Sequence, residues 1–367
     1  MRLTIPQPQL LKTLQVVERA INERSTLPIL ANVLLETTEN ELTLTATDLD
    51  VGIQCRFPLA SPVERGAVAL PARKLTTVIR ELPDELVTLE AKKNHTATVN
   101  CAASSFRIPG LPAEDFPSLP LAAEGEGVVV SQRALKTLVA RTAHAMSIEE
   151  TRFILNGSLF TTQKNDLVVV ATDGRRLAVA HAALSRPAKQ PLRAIIPSKT
   201  VRELGRLLQQ DESEEVAIAP LKDNQVAYRF GLVSMVTRVI EGEFPQFDKV
   251  IPPASKHTFT CEREALMNAV RRANLMTTAT SQAVVFELAP QRLVVSKESA
   301  ELGSAREELP VAYHGEPLTI AFNPEFWLDV LKALDDEELT VEIAGPDRPA
   351  VIRQAEFVYL VLPMKVA

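Results

Sequence analysis

The sequence predicts an α+β chain built as three tandem copies of one domain, each with two helices packed on curved antiparallel sheets. Three observations carry that prediction. A helix-like segment recurs every 126 residues, as Pro71-Ala-Arg-Lys-Leu-Thr-Thr-Val-Ile-Arg-Glu-Leu, Pro197-Ser-Lys-Thr-Val-Arg-Glu-Leu-Gly-Arg-Leu-Leu and Asn323-Pro-Glu-Phe-Trp-Leu-Asp-Val-Leu-Lys-Ala-Leu. An alternating segment recurs at offsets of 125 and 126, as Leu42-Thr-Leu-Thr-Ala-Thr-Asp, Leu167-Val-Val-Val-Ala-Thr-Asp and Leu293-Val-Val-Ser-Lys-Glu-Ser. Unit heads recur as Leu10-Leu-Lys-Thr-Leu, Ala134-Leu-Lys-Thr-Leu and Ala265-Leu-Met-Asn-Ala. A period this long is a whole domain rather than a solenoid repeat. The expected domains are 1–124, 125–253 and 254–367 of the 367 residues, each of ordinary domain size.

Each unit is expected to open on an amphipathic helix. Leu10, Leu14, Val17 and Ile21 follow a buried-stripe spacing, with Lys12, Gln15, Arg19 and Asn22 on the opposite face. Alternating strands follow, with Leu42, Leu44 and Ala46 set against Thr43, Thr45 and Thr47. The second helix comes next. In the middle unit Leu204, Leu207 and Leu208 point inward and Lys199, Arg202 and Arg206 form a basic stripe. Pro71 and Pro197 suit the first helical turn, where a missing N–H costs nothing. Further short strands are expected at 97–101, 226–230, 233–240, 339–343 and 357–362, with linkers at 118–127 and 252–256.

Composition excludes several classes. With 46% apolar and 23% charged residues the chain can fill its cores. It contains no run of 18 apolar residues, and the start, Met1-Arg-Leu-Thr-Ile-Pro, has no signal-like apolar stretch. Cys55, Cys101 and Cys261 are scattered and form no C-x-x-C pair, which reads as reduced, buried thiols in a cytoplasmic protein. Metal and catalytic sites are not expected. The motifs G-x-x-x-x-G-K-[ST], H-E-x-x-H and G-x-S-x-G are absent, and the five histidines are scattered. An enzyme would have to use Asp173, or Cys261 with His257. Asp48 occupies the place of Asp173 in the first unit and Ser299 in the third, which fits a turn-forming residue better than a catalytic one.

Charge is distributed by element. The chain carries a net −6, yet the six expected helices (7–24, 71–82, 131–147, 197–210, 262–276, 323–335) carry a net +7. Arg80, Arg206 and Lys332 share one repeat position. Arg73 and Lys199 share another, which Glu325 breaks. Solvated helix faces often carry such residues; their recurrence with the domain points instead to one polyanionic partner. Three domains joined strand to strand would leave two unpaired edges, a hazard unless closed. Two arcs meeting head to tail would close a ring. Twelve helices at axis separations of roughly 8–10 Å give a circumference near ~110 Å. With a helix width of ~10 Å removed, the hole is about 25 Å, wide enough for duplex DNA. A linear scaffold that binds only peptides is the alternative.

The chain resembles the bacterial DNA polymerase III beta subunit family, the sliding clamps, over its whole length. The residues that carry the likeness are Arg24-Ser-Thr-Leu-Pro-Ile-Leu, Thr47-Asp-Leu-Asp, Leu70-Pro-Ala-Arg-Lys, Asp115-Phe-Pro, Leu155-Asn-Gly, Ala171-Thr-Asp-Gly-Arg-Arg-Leu-Ala, Glu243-Phe-Pro, Phe322-Asn and Tyr359-Leu-Val-Leu-Pro-Met-Lys. The resemblance implies three DNA-clamp domains, closed by head-to-tail dimerisation into a six-domain ring on double-stranded DNA. The implied function is that of a non-catalytic processivity factor without cofactors, cytoplasmic and not bound to membrane. Implied partners are the replicative DNA polymerase alpha subunit, a clamp-loader ATPase, other DNA polymerases, ligase and mismatch-repair proteins, each docking through a short peptide.

Three sets of residues follow. Lys12, Arg24, Arg73, Arg80, Lys136, Lys199, Arg202 and Arg206 are expected to face phosphates, a sequence-blind and salt-dependent attraction that permits sliding. Phe153 matches an aromatic DNA-contacting position in the family, with core packing as the alternative; its neighbour Ile154 departs from the aromatic pair of some relatives. The resemblance implies a peptide groove of Leu155, Thr172, Gly174, Arg175, Arg176, Leu177, Pro245, Val250, Asn323, Phe326, Val361, Leu362, Pro363 and Met364. Arg175 stands where relatives often have His, and Phe326 replaces a Tyr. The alternative for the apolar tail is a final core strand. The implied dimer junction sets Phe106 and Ile108, two apart on one strand face, against Leu275 and Met276. Lys74 and Arg107 would meet Glu298 and Glu301 across the rim.

Overall fold

A computed structural model of the chain describes residues 1–22, 26–59, 64–121, 127–255 and 257–365. The first repeat comprises β1 (Arg2–Pro6), α1 (Gln7–Val17), β2 (Asn32–Thr37), β3 (Glu41–Thr47), β4 (Val51–Pro58), β5 (Gly66–Pro71), α2 (Ala72–Glu81), β6 (Leu86–Ala91), β7 (Thr96–Cys101) and β8 (Ser104–Pro109). The same order returns as β9 (Val128–Ser131), α3 (Gln132–Thr142), β10 (Gly157–Gln163), β11 (Asp166–Thr172), β12 (Arg176–Ala183), β13 (Arg193–Pro197), α4 (Ser198–Leu207), β14 (Glu215–Leu221), β15 (Gln225–Phe230) and β16 (Val233–Arg238). It returns again as β17 (Thr258–Glu262), α5 (Arg263–Asn274), β18 (Val284–Ala289), β19 (Arg292–Ser299), β20 (Gly303–Pro310), β21 (Leu318–Phe322), α6 (Pro324–Ala333), β22 (Glu338–Ile343), β23 (Ala350–Gln354) and β24 (Phe357–Val361).

These repeats pack as two compact units. One holds Met1–Gln132, Ser185–Leu192 and Arg206–Val239; the other holds Arg133–Leu184, Arg193–Gly205 and Ile240–Ala367. The first contains a four-stranded sheet, β1-β6-β7-β8, and an eight-stranded sheet, β5-β2-β3-β4-β16-β15-β14-β9. The second contains the eight-stranded sheet β13-β10-β11-β12-β24-β23-β22-β17 and the four-stranded sheet β20-β19-β18-β21. Each eight-stranded sheet is therefore two half-sheets of successive repeats joined edge to edge, as the sequence predicts. The joints are alike. β4 meets β16 with Ile53 opposite Met235, and β12 meets β24 with Ala178 opposite Tyr359.

The alternation read from the sequence is the burial pattern. Leu42, Leu44 and Ala46 are fully buried on β3, and Leu10, Leu14 and Val17 on α1. Fully buried Phe286, Phe322 and Trp327 pack with ring centroids 5.2–5.3 Å apart in the third repeat. Cys55 and Cys261 are buried, which pushes both thiols up to about 12.

Three local expectations need correction. The opening helix stops at Val17, continues as a 3₁₀ turn to Ala20, and is broken by Ile21 in extended conformation, so it ends short of residue 24. Pro71 and Pro197 end strands β5 and β13, one residue before their helices; Pro324 is the proline inside a first turn. The unit heads align one residue away from the sequence match. The first helical N–H donates to Glu85 O from Gln7, to Glu214 O from Gln132 and to Glu337 O from Arg263. Leu10 therefore corresponds to Leu135 and Leu266, all fully buried, and not to Ala134 and Ala265.

Candidate functional site

The site is built around the turn between β11 and β12. Asp173 Oδ1 accepts the backbone N–H groups of Arg175 and Arg176 at 2.8 and 3.0 Å. Thr172 Oγ1 donates to Arg176 O at 2.6 Å and accepts from Gly174 N at 3.1 Å. Gly174 takes φ +84°, a left-handed conformation that favours glycine. The first repeat makes the same cage with Thr47, Asp48 and Val51, carrying Leu49 at φ +77°. Asp173 is thus a side-chain mimic of a backbone turn.

Beside this turn lies an apolar groove of about 230 Å³, entirely within the second unit. Of the residues named from the sequence, Leu155, Thr172, Gly174, Arg175, Arg176, Leu177, Pro245, Val250 and Leu362 line it. Gln246, Phe247, Pro349 and Leu360 line it too and were not anticipated. Leu360 lies opposite Leu177 in the β12–β24 ladder, a pairing that single-sequence alternation does not reveal. Phe247 is the repeat counterpart of Leu119, and that correspondence was the available signal. Asn323 and Phe326 lie instead in an adjoining polar chamber of about 540 Å³, which shares Arg175 and Arg176 with the groove. Val361 is a buried strand residue, Pro363 is half-buried, and Met364 is 37% exposed with its N–H on Ala321 O at 2.7 Å. The tail is therefore a core strand as far as Val361 and a surface segment beyond it.

Arg176 ties groove and chamber together. Its Nε donates to Asp173 Oδ2 at 3.0 Å and its Nη1 to Asp329 Oδ2 at 2.7 Å. The guanidinium lies 4.4 Å from the Phe326 ring centroid, a cation–π contact in which the missing hydroxyl plays no part. Both carboxylates and the ring compensate the burial of the charge, so removing one carboxylate would leave it only partly compensated. Below it both ring nitrogens of His144 are shut off from solvent without a partner. Burial first, and Arg176 second, push His144 down to about 4, so it is neutral at pH 7. Arg175 is open to solvent at the mouth, 3.9 Å from Glu149.

The remaining candidates lie on separate elements. Lys12 is exposed on α1, Arg73, Lys74 and Arg80 on α2, and Arg202 and Arg206 on α4; Lys136 and Lys199 are half-buried on α3 and α4. Arg24 lies outside the described residues. Phe153 is 58% exposed, which sets aside core packing. Phe106 and Arg107 are exposed on β8. Ile108 is 3% exposed and so belongs to its own core. Leu275 is 69% exposed at the end of α5, Met276 is half-buried, and Glu298 and Glu301 are exposed beside the β19–β20 turn.

Comparison with known proteins places the chain in a family. The N-terminal, central and C-terminal domain models of the DNA polymerase III beta subunit match residues 1–120, 129–246 and 248–365. A beta sliding clamp of Pseudomonas putida is 33% identical, with both chains covered in full. One from Chlamydia muridarum is 31% identical, covering all of this chain and 99% of that one. Among solved structures, a sliding clamp from Pseudomonas aeruginosa bound to griselimycin superposes with a TM-score of 0.94 at 31% identity. One from Bacillus subtilis gives 0.94 at 28%. Both structures cover the whole of both chains.

Proposed function

The chain belongs to the DNA polymerase III beta subunit family, and from that premise we propose that two copies close head to tail into a six-domain ring around double-stranded DNA. It acts as a sliding clamp, a non-catalytic processivity subunit. Lys12, Arg24, Arg73, Arg80, Lys136, Lys199, Arg202 and Arg206 attract phosphates without reading bases, and Phe153 touches the backbone or a single strand. Attraction through an intervening water layer favours no register, so the ring moves freely along the duplex.

One observation carries the closure. β4 with β16, and β12 with β24, pair the fourth strand of one repeat with the eighth strand of the next. The remaining pair of that kind is β20 with β8, and it requires a second copy. Hairpin registers align the repeats. Thr47–Gly52, Thr172–Leu177 and Glu298–Ser304 correspond, as do Cys101–Ser104, Phe230–Val233 and Gln354–Phe357. Transfer of the two existing junctions sets Ser104 opposite Glu307, Phe106 opposite Ala305 and Ile108 opposite Gly303. Glu307 is bonded to Arg272 of α5 at 2.6 Å, so this face of β20 looks toward α5, and Phe106 faces the end of that helix. At the β12–β24 junction the matching residue, Tyr359, lies 5.5 Å from His144, and His144 is the counterpart of Leu275. Phe106 of one copy thus covers Leu275 and Met276 of the other. Arg107 falls opposite Ser304, whose other ladder neighbour is Glu298, close enough for an ion pair across the small serine; Lys74 and Glu301 complete the rim. Ile108 supports the junction from within its own domain.

The groove takes short extended peptides with Leu or Phe anchors. The apolar lobe holds the anchors, and Arg175 with the polar chamber receives the rest of the segment. A shared groove lets the polymerase alpha subunit, the loader ATPase, other polymerases, ligase and mismatch-repair proteins compete for one site in the cytoplasm. No described helix is long and apolar enough to cross a membrane. Sedimentation at micromolar concentration tests the reading: a mass about twice 40.2 kDa supports the ring, and a strict monomer contradicts it.

A further inference from the structure

Lys297 is a buried lysine in a place where the other repeats have alanine. It sits on β19 at 6% exposure, while its counterparts Ala46 and Ala171 are fully buried. Its ladder partner on β20 is Ala305, so it lies on the face that looks toward α5. Among the described residues no carboxylate comes within ion-pair distance of its amine. The amine donates instead to Ser281 Oγ at 2.7 Å, and burial holds its pKa below the ordinary lysine value. The stem is buried while the amine reaches the exposed Ser281 in a part-buried hydrogen bond, so what that bond holds in place calls for an explanation.

Ser281 closes a tight turn. Its N–H donates to Thr278 O at 3.1 Å, while Thr278 N donates back to Ser281 O at 3.2 Å. This turn is the return segment of α5, starting directly after Leu275, Met276 and Thr277, and Thr277 Oγ1 bonds Asn274 O at 2.8 Å. The turn therefore fixes the helix end that displays Leu275, and Lys297 is the group that fastens it to the sheet.

We propose that Lys297 is a positioning residue for the junction between two copies of this chain, pinning the Thr278–Ser281 turn so that Leu275 and Met276 stand ready for Phe106 of the second copy. The proposal rests on the junction assigned above. It also accounts for the alanines: the first two repeats meet neighbours on the same chain, and only the third must present its patch to a separate molecule. Loss of the bond frees the turn, and re-ordering it on association weakens the dimer.

The test is a mutant cycle read by dilution of the full-length dimer, with mass photometry for the dissociation constant and amide exchange for residues 278–282. Lys297→Met and Ser281→Ala should each raise the dissociation constant by about tenfold, the scale of one hydrogen bond to a charged group. The double variant should be no weaker than either single one, and exchange across the turn should quicken in all three. Lys297→Ala, which installs the residue of the other repeats, guards against a packing defect of methionine and should behave alike. An unchanged or tighter dimer in both Lys297 variants, or additive losses in the cycle, overturns the proposal. Failure of the junction itself reads differently: Leu275→Ala combined with Met276→Ala would then leave the dimer intact.

Discussion

Removing the apolar rim of the groove offers the sharpest test of peptide docking. Val250 and Leu362 are 58% and 42% exposed, so about half of each side chain is left for a ligand to cover. Full burial of a Val or Leu side chain is worth roughly 1.5–3 kcal/mol; the uncovered fractions then supply roughly 1 kcal/mol apiece. Val250→Ala with Leu362→Ala should cost about 2 kcal/mol, or roughly thirtyfold in Kd. The backbone bond from Leu362 N to Arg175 O at 2.9 Å survives both changes, so the turn stays in place. Leu177 is a poor site for the same test. It is 3% exposed and packed in a core cluster with Leu159, Phe244 and Leu360, so a charge there would test folding. The assay is fluorescence anisotropy with a labelled peptide carrying adjacent Leu and Phe, alongside sedimentation of the variant. A Kd within threefold of the parent, or loss of the dimer together with the peptide, would refute the argument.

Other outcomes follow from the same geometry. His144 binds its proton near pH 4 in the folded chain and near 6.5 when unfolded. Stability from its neutral burial is therefore complete above about pH 6.5 and is lost as the pH falls toward 4, by about 3 kcal/mol. Chemical denaturation of His144→Phe should show a flatter profile than the parent over that window; parallel profiles would contradict the assignment. Arg80→Ala combined with Arg202→Ala removes four charges from a ring of two copies and should lower the slope of log K against log salt by up to about 4 on duplex DNA without creating sequence preference. An unchanged slope would remove both residues from the phosphate-facing set.

Much of this fold is legible in one chain because its repeats restate the same elements. The 126-residue spacing placed α2, α4 and α6 to within one to three residues, and the alternation around Leu42 marked a buried strand face. Local strings misled in two places. Leu-Lys-Thr-Leu recurs at 11 and at 135, but the helix start is set by a long-range bond from Gln7 or Gln132 to a distant glutamate carbonyl, which shifts the alignment by one. Proline marked the helix starts correctly at Pro71 and Pro197 while its role there is to end a strand. The groove was half visible. Residues contiguous with Thr172–Leu177 were within reach, whereas Leu360 enters through strand pairing with Leu177, 183 residues away, and no local pattern encodes that register. Phe326 was expected in the groove, but it lines the adjoining chamber, where its ring lies under the Arg176 guanidinium.

Retention on DNA of different topology tests the ring most directly. Loaded onto a nicked circular duplex and passed through a sizing column at moderate salt, the protein should remain with the circle. Linearising that same DNA should release it within the run. Equal retention on both forms, or equal loss from both, would contradict an enclosing ring.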